Sequence, residues 1–297
     1  MTTNAWRPVT VGVDGSPDSW AALRWAAREA ARRRSGLRLV HGCVGIVPWA
    51  AFDSLLQQDR ADGPGTVGAA LLVAAAERVT TAYPDLTVER VYMVGAPGAV
   101  LAEQSRTASL IVVGGRGQGG LHGLVIGSVA TDIAVHAHCP VVVVRREAPD
   151  PDGPIVVGLD GSTASTAALG FAFDIAAQWK RPLRALYAWN ALPTRNLGPV
   201  TTWRVDPAEA AEEAARLLAE QLAGWSEKYP DVAVQRRPTH SLGATGTLIE
   251  ESQKAGLVVV GSRGRSTATG VLLGSVSRAL VRHAHGPVAV VHVPAGS

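Results

Sequence analysis

The stretch from Leu110 to Ser128, LIVVGGRGQGGLHGLVIGS, returns from Leu257 to Ser275 as LVVVGSRGRSTATGVLLGS. Both copies carry G-x-x-G, nine residues, then G-S: Gly114, Gly117, Gly127 and Ser128, then Gly261, Gly264, Gly274 and Ser275. Each runs from four apolar residues, the pattern of a buried strand, through a glycine loop into a helix start. Glycine lets backbone N–H groups approach an anion with no Cβ in the way, and a helix N-terminus favours negative charge. The pattern is therefore a physical recipe for holding phosphate, present twice at matched spacing.

The rest of the chain is duplicated around these two loops. VTVGVDGS (Val9 to Ser16) matches IVVGLDGS (Ile155 to Ser162), Tyr83-Pro84-Asp85 matches Tyr229-Pro230-Asp231, and HAHCPVVVV (from His136) matches HAHGPVAVV (from His283). The offset is 146 residues at Val9 and Ile155 and 147 at His136 and His283, so one insertion separates the halves. Two copies of a full α/β unit make a duplicated domain and not a solenoid. Residues 146–154, REAPDPDGP, are charged and proline-rich and mark the boundary. The expected division is a first domain over 1–147, a linker over 148–154 and a second domain over 155–297.

Within the first half, Val9 to Val13 reads as a strand, and Ser16-Pro17 as the cap and first position of a helix ended by Gly36. Leu37 to Cys43 is a second strand. Residues 44–66 read as a long irregular loop with a helical turn near Phe52 to Gln58. A helix from about Val67 to Ala82, a strand from Leu86 to Met93, a short helix from Pro97 to Arg106 and a strand from Leu110 to Val113 follow. The glycine loop, a helix from Ser128 to about His136 and a strand from Pro140 to Arg145 complete the unit. Strands alternating with helices imply a parallel sheet covered on both faces.

The chain has 297 residues, 47% of them hydrophobic, with 28 basic and 25 acidic side chains and a net charge of +3. That mild balance lacks the dense positive field of a dedicated nucleic-acid binder. Arg32, Arg33 and Arg34 close a helix, where cations complement its dipole. No apolar run is long enough for a membrane span, and no basic-then-apolar leader opens the chain. With only Cys43 and Cys139 present, no disulfide framework exists, and a cytoplasmic location is expected.

Asp14 and Asp160 each close the first strand of their half, where ligands gather at strand carboxyl ends. Such a carboxylate accepts hydrogen bonds from ribose hydroxyls or approaches a Mg²⁺ held on phosphates; the alternative is a capping role in the D-G-S turn. A Walker sequence is absent. The G-x-G-x-x-G at Gly115, Gly117 and Gly120 follows the fourth strand instead of the first and does not recur in copy two, where Ser266-Thr267 replaces Gly119-Gly120, so it is an accidental match. His136/His138 and His283/His285 lack a recurring third ligand and read as structural. Tryptophans such as Trp20, Trp25, Trp189 and Trp225 read as packing residues. No catalytic base or nucleophile is assignable.

These motifs resemble the universal stress protein family in its tandem, ATP-binding form, over nearly the whole chain. The resemblance implies two Rossmann-like domains of the adenine nucleotide α-hydrolase type, each a five-stranded parallel sheet of order 3-2-1-4-5 between helices. It implies that Asp14 and Asp160 meet the adenosine end of ATP, that Gly12, Val13, Gly158 and Leu159 line the nucleoside, and that Gly42 and Ala188 offer backbone contacts to adenine. Gly114, Gly115, Arg116 and Gly117, with Gly127, Ser128 and Val129, would wrap one set of phosphates. Gly261, Ser262, Arg263 and Gly264, with Gly274, Ser275 and Val276, would wrap the other. Copy two has Ser266-Thr267 where copy one has Gly119-Gly120, which implies a stiffer loop.

The expected function is regulation through nucleotide-dependent conformation or protein partners, with two ATP sites per chain and Mg²⁺ near Asp14 and Asp160. The alternative is a slow Mg²⁺-dependent ATPase or an adenylyl-transferring enzyme. The family's last strand pairs with its counterpart in another domain, which implies a pseudo-dimer of the two halves inside one chain and a homodimer of two such chains through the last strands; no nucleic-acid or membrane partner is expected.

Overall fold

The computed structural model describes residues 7–44, 64–117, 127–189, 207–240, 243–264 and 273–293. The turn expected near Phe52 to Gln58, and loop positions Gly119, Gly120, Ser266 and Thr267, lie outside them. The chain divides into two compact units, residues 1–146 and 147–297. Residues 150–153 are folded against the second unit: the Gly153 N–H donates to the Asp150 carbonyl, and Asp152 pairs with Arg181.

In the first unit the strands are β1 (Val9–Gly12), β2 (Leu37–Cys43), β3 (Val88–Val94), β4 (Leu110–Gly114) and β5 (Val141–Val144). All neighbouring pairs are parallel, in the order β3-β2-β1-β4-β5. Between them run α1 (Pro17–Arg33), α2 (Pro64–Ala82), α3 (Pro97–Gln104) and α4 (Ser128–His136). The sheet interior is the valine- and leucine-rich set read from the sequence: Val9, Val11, Leu37, Leu39, Leu110, Ile111, Val112, Val141 and Val142 are each fully buried. Continuous apolar runs suit strands covered on both faces.

The second unit repeats the pattern with β6 (Ile155–Leu159), β7 (Leu183–Trp189), β8 (Val234–His240), β9 (Leu257–Gly261) and β10 (Val288–Val291), ordered β8-β7-β6-β9-β10. Its helices are α5 (Thr163–Trp179), α6 (Pro207–Leu222), α7 (Trp225–Lys228), α8 (Ala244–Glu251) and α9 (Ser275–His283). The sheet order places β1 and β4, or β6 and β9, side by side at the point where crossovers change direction. Carboxyl ends of strands at such a switch form a crevice.

The first helix starts as expected and stops elsewhere. The Ser16 hydroxyl accepts from the Ser19 N–H and Pro17 takes the first position, but the left-handed residue is Arg34, with φ of 51°. Its N–H bonds to the Ala30 and Ala31 carbonyls. Gly36 lies two residues further on, just before β2, where its carbonyl accepts from the Val9 N–H of β1. The second unit repeats this solution with Lys180 at φ of 53°. A left-handed non-glycine residue costs roughly 1–2 kcal/mol, and both positions use long cations at helix ends, where the dipole returns part of that cost. Within the arginine run, Arg33 bonds through Nε to the buried Glu29 carboxylate at 2.5 Å.

The two histidine pairs close equivalent joints. The backbone N–H of His138 donates to Ser105 Oγ and that of His285 to Ser252 Oγ, each at 2.9 Å. Cys139 is buried beside β4, and burial pushes its thiol up to about 12. Trp25 is buried, as its reading as a packing residue requires.

Candidate functional site

Each unit opens a cleft at the carboxyl ends of its strands. The first, of about 370 Å³, is bounded by the ends of β1, β2 and β4, by α3 and by the start of α4. Gly12, Val13, Asp14, Gly42, Gly114, Arg116, Gly117, Gly127, Ser128 and Val129 line it. The second, of about 110 Å³, is lined by Gly158, Leu159, Asp160, Gly261, Arg263, Gly264, Gly274, Ser275 and Val276. Residues more than 100 positions apart in the chain thus share one crevice in each unit.

The feature common to both clefts is a carboxylate set against the glycine loop. A Cβ built on Gly117 would lie 2.6 Å from Asp14 Oδ2, and one on Gly264 would lie 2.6 Å from Asp160 Oδ2. Glycine is required here for close approach. The Asp side chains are oriented locally: Asp14 Oδ1 accepts from the Ser16 N–H at 2.9 Å, and Asp160 Oδ1 from the Ser162 N–H at 3.0 Å. The Asx-turn reading is therefore met by one carboxylate oxygen, while the other faces the loop. Ser16 also ties the loop down, its hydroxyl donating to the Arg116 carbonyl at 3.0 Å.

Across the cleft, α4 and α9 begin at Gly127 and Gly274, and no side chain caps either first turn. An uncapped helix start presents its amides and the positive end of its dipole to whatever enters. In the first unit Arg116 adds a guanidinium, held 3.3 Å from Asp18 Oδ2. The equivalent of Asp18 in the second unit is Ala164, so Arg263 is not anchored in that way. Arg145 lies behind the first loop, where burial and the neighbouring Arg116 and Arg146 charges lower its pKa.

Two expected residues, Gly115 and Ser262, are not among the lining residues of the clefts. The Gly115 and Ser262 N–H groups are spent on the sheet, donating to the carbonyls of Val144 and Val291. Their own carbonyls accept from Gly127 and Gly274, each at 2.8 Å, which fixes the loop entrance to the helix start. Ala188 of β7 pairs in register with Thr239 of β8, and Leu186 of β7 lines the second cleft. Gly114 and Gly261 line their clefts, yet their missing Cβ serves packing: it would fall 2.8 Å from the Asp18 carbonyl carbon and 2.7 Å from that of Ala164.

The apolar walls were not read from the sequence. Leu101 and Pro97 of α3 close the first cleft, and Leu248 and Ala244 of α8 close the second. Their signal is the glycine opposite: a Cβ on Gly12 would meet Leu101 Cδ1 at 3.0 Å, and one on Gly158 would meet Leu248 Cδ1 at 2.8 Å. His41 also borders the first cleft; its Nδ1–H donates to the Val13 carbonyl at 2.7 Å, and its ring stacks on Tyr92. The second unit has Tyr187 there.

Fold and cleft together define a tandem α/β protein with a glycine-lined crevice at the strand ends of each half. The universal stress protein family model matches residues 5–145 and again 153–292, and the chain belongs to that family. It is 37% identical over 309 residues to a universal stress protein of Mycobacterium tuberculosis, covering 96% of this chain and 95% of that one. A Mycolicibacterium smegmatis universal stress protein is 39% identical over 292 residues, covering 95% and 96%. Among solved structures, a universal stress protein from Archaeoglobus fulgidus superposes with a TM-score of 0.69 at 16% identity, covering 96% of this chain and 98% of that one. A functionally unknown Pseudomonas aeruginosa protein gives 0.65 at 18% identity, covering 97% and 93%. These last two likenesses concern the fold. Among the described residues no helix is long and apolar enough to cross a membrane.

Proposed function

We propose that each cleft holds one ATP, its nucleoside against Asp14 or Asp160 and its phosphates between the glycine loop and the helix start. In this reading residues 1–147 and 155–297 are two binding modules of one cytoplasmic regulatory protein. Nucleotide occupancy changes conformation or partner choice. The observation that carries it is the duplicated 2.6 Å approach of Gly117 to Asp14 and Gly264 to Asp160. Two independent halves keep a glycine where any side chain would displace a carboxylate. The residues fit the group: glycines leave room for phosphate, two uncapped helix starts supply positive dipole ends, and Arg116 and Arg263 supply cations. Mg²⁺ on the phosphates would lie within the reach of the Asp pair.

Calorimetry with ATP tests this. The intact protein is expected to bind two equivalents per chain. Asp14→Ala or Asp160→Ala should each remove one site, through a loss of roughly 10-fold or more, the scale of one charge-assisted hydrogen-bond set. Absence of ATP binding to the intact chain would overturn the proposal. Mg²⁺-dependent phosphate release lost in both Asp variants would add hydrolysis to the holding role.

Assembly is part of the same proposal. The last strands, VVVV at Val141 and VAVV at Val288, are buried within the single chain. A homodimer of this chain should sediment at twice the chain mass at micromolar concentration, and a monomer at every concentration would refute it.

A further inference from the structure

The loop of the first cleft is tied down in a way that the second unit does not repeat. Arg116 lines the cleft, and its side chain is 55% exposed. Its Nε–H donates to Asp18 Oδ2 at 3.3 Å, and among the described residues the guanidinium makes no other hydrogen bond. Asp18 is buried in the first turn of α1 and is not a lining residue of the cleft. The main chain of Arg116 is held too, because Ser16 Oγ donates to its carbonyl at 3.0 Å. One residue of the α1 start thus fixes the backbone of Arg116 and another fixes its side chain.

Asp18 takes the inner nitrogen and leaves Nη1 and Nη2, the fork that matches phosphate oxygens. Its charge is balanced a second time by Arg145, which packs against Gly115 behind the loop, where a Cβ on that glycine would lie 2.1 Å from Arg145 Cγ. Burial and the Arg116 and Arg146 charges lower the Arg145 pKa, while the Asp18 carboxylate acts in the opposite direction. Asp18 therefore keeps a cation beside it when an anion engages Arg116.

In the second unit Arg263 takes the matching place and lines its cleft, and neither tether recurs. Ala164 stands at the Asp18 position and His292 at the Arg145 position. Ser162 Oγ donates to Asp160 Oδ1 at 2.7 Å and not to the loop. Loop tether, carboxylate and the cation behind it change together.

We propose that Asp18 and Ser16 are positioning residues of the first cleft, holding Arg116 so that its Nη groups meet the phosphates of the nucleotide, and that the second cleft lacks this device. The inference rests on the ATP reading given above. An arginine already held in its binding pose loses less rotamer freedom when the phosphate arrives. The first cleft thereby gains a hold on the phosphate chain that Arg263 does not provide in the same form.

Calorimetry with ATP and with adenosine tests this, using the full chain with Asp160→Ala so that the first cleft alone is filled. Removing a carboxylate near a polyanion strengthens binding by charge alone, so charge and positioning predict opposite signs for changes at Asp18. Asp18→Ala is expected to weaken ATP on the order of 10-fold and to leave adenosine, which has no phosphate, unchanged. Asp18→Asn keeps an acceptor for the Nε–H and should weaken ATP by only about 3-fold. Because Asp18→Ala also takes a carboxylate from Arg145, the exposed Arg116→Ala serves as a further variant, with an ATP loss on the order of 10-fold. Adding Asp18→Ala to Arg116→Ala should weaken ATP no further, since the two residues act as one unit. Unchanged or tighter ATP binding in the Asp18 variants or in Arg116→Ala would overturn the proposal, as would an equal loss for adenosine. If the Asp160→Ala chain binds no ATP at all, the ATP reading falls with it; ATP binding indifferent to Asp18 and Arg116 sinks this inference alone.

Discussion

Gly117→Val combined with Gly264→Val is expected to lower ATP affinity by about 100-fold or more at both sites, or roughly 3 kcal/mol each. The missing Cβ of each glycine would fall 2.6 Å from an Asp oxygen, and valine adds two methyl groups beyond it. The carboxylate is the free end of a side chain, so it can swing away, and the fold survives while the crevice loses its shape. The unfolding midpoint should therefore move little as calorimetric binding disappears. Gly261→Val is the instructive contrast. There the added atoms meet the backbone of Ala164 at 2.7 Å, which has no such freedom, and stability should fall along with binding. Retention of wild-type affinity by the double variant would show that the loop and the Asp pair do not form one site.

Phe173→Ala should produce the largest loss of stability, about 3–5 kcal/mol in the second unit. Phe173 is fully buried and is the common neighbour of Trp225 and Tyr229, so its removal leaves a cavity and strips two rings of their stacking partner. For a unit of this size the midpoint would drop by on the order of 10 °C. Differential scanning calorimetry should show the loss in the transition of the second unit alone. The equivalent position in the first unit is Ala27, already small, and Ala27→Gly should cost about 1 kcal/mol, the helix propensity difference. A Phe173→Ala midpoint within two or three degrees of wild type would mean that the aromatic cluster does not hold this helix face.

Much of the site was legible because local signals carried it. Asp14-Gly15-Ser16-Pro17 spells a strand end, a turn and a helix cap, and the structure has that order. Gly127-Ser128 and Gly274-Ser275 mark helix starts at the expected residues. The N–H groups of Gly115 and Ser262 are taken by the neighbouring strands, which a glycine-rich string does not reveal. The helix stops at Arg34 and not at Gly36, because the Arg34 N–H already closes the last turn on the Ala30 and Ala31 carbonyls, with a cation at the negative end of the helix dipole. The walls supplied by Leu101 and Leu248 had no pattern of their own; each is one more apolar helix residue until the glycine facing it is known.

The sequence by itself determined the duplication, the order of strands and helices, and the two loops after the fourth strand of each half. Periodicity and capping chemistry act over a few residues, and a repeat makes each reading twice. Only the tertiary structure decided that Asp14 faces Gly117 and Asp160 faces Gly264, and that Trp225 and Tyr229 stack on Phe173 in the second unit. Those are contacts between residues many positions apart. They depend on strand register and helix packing, which composition does not encode.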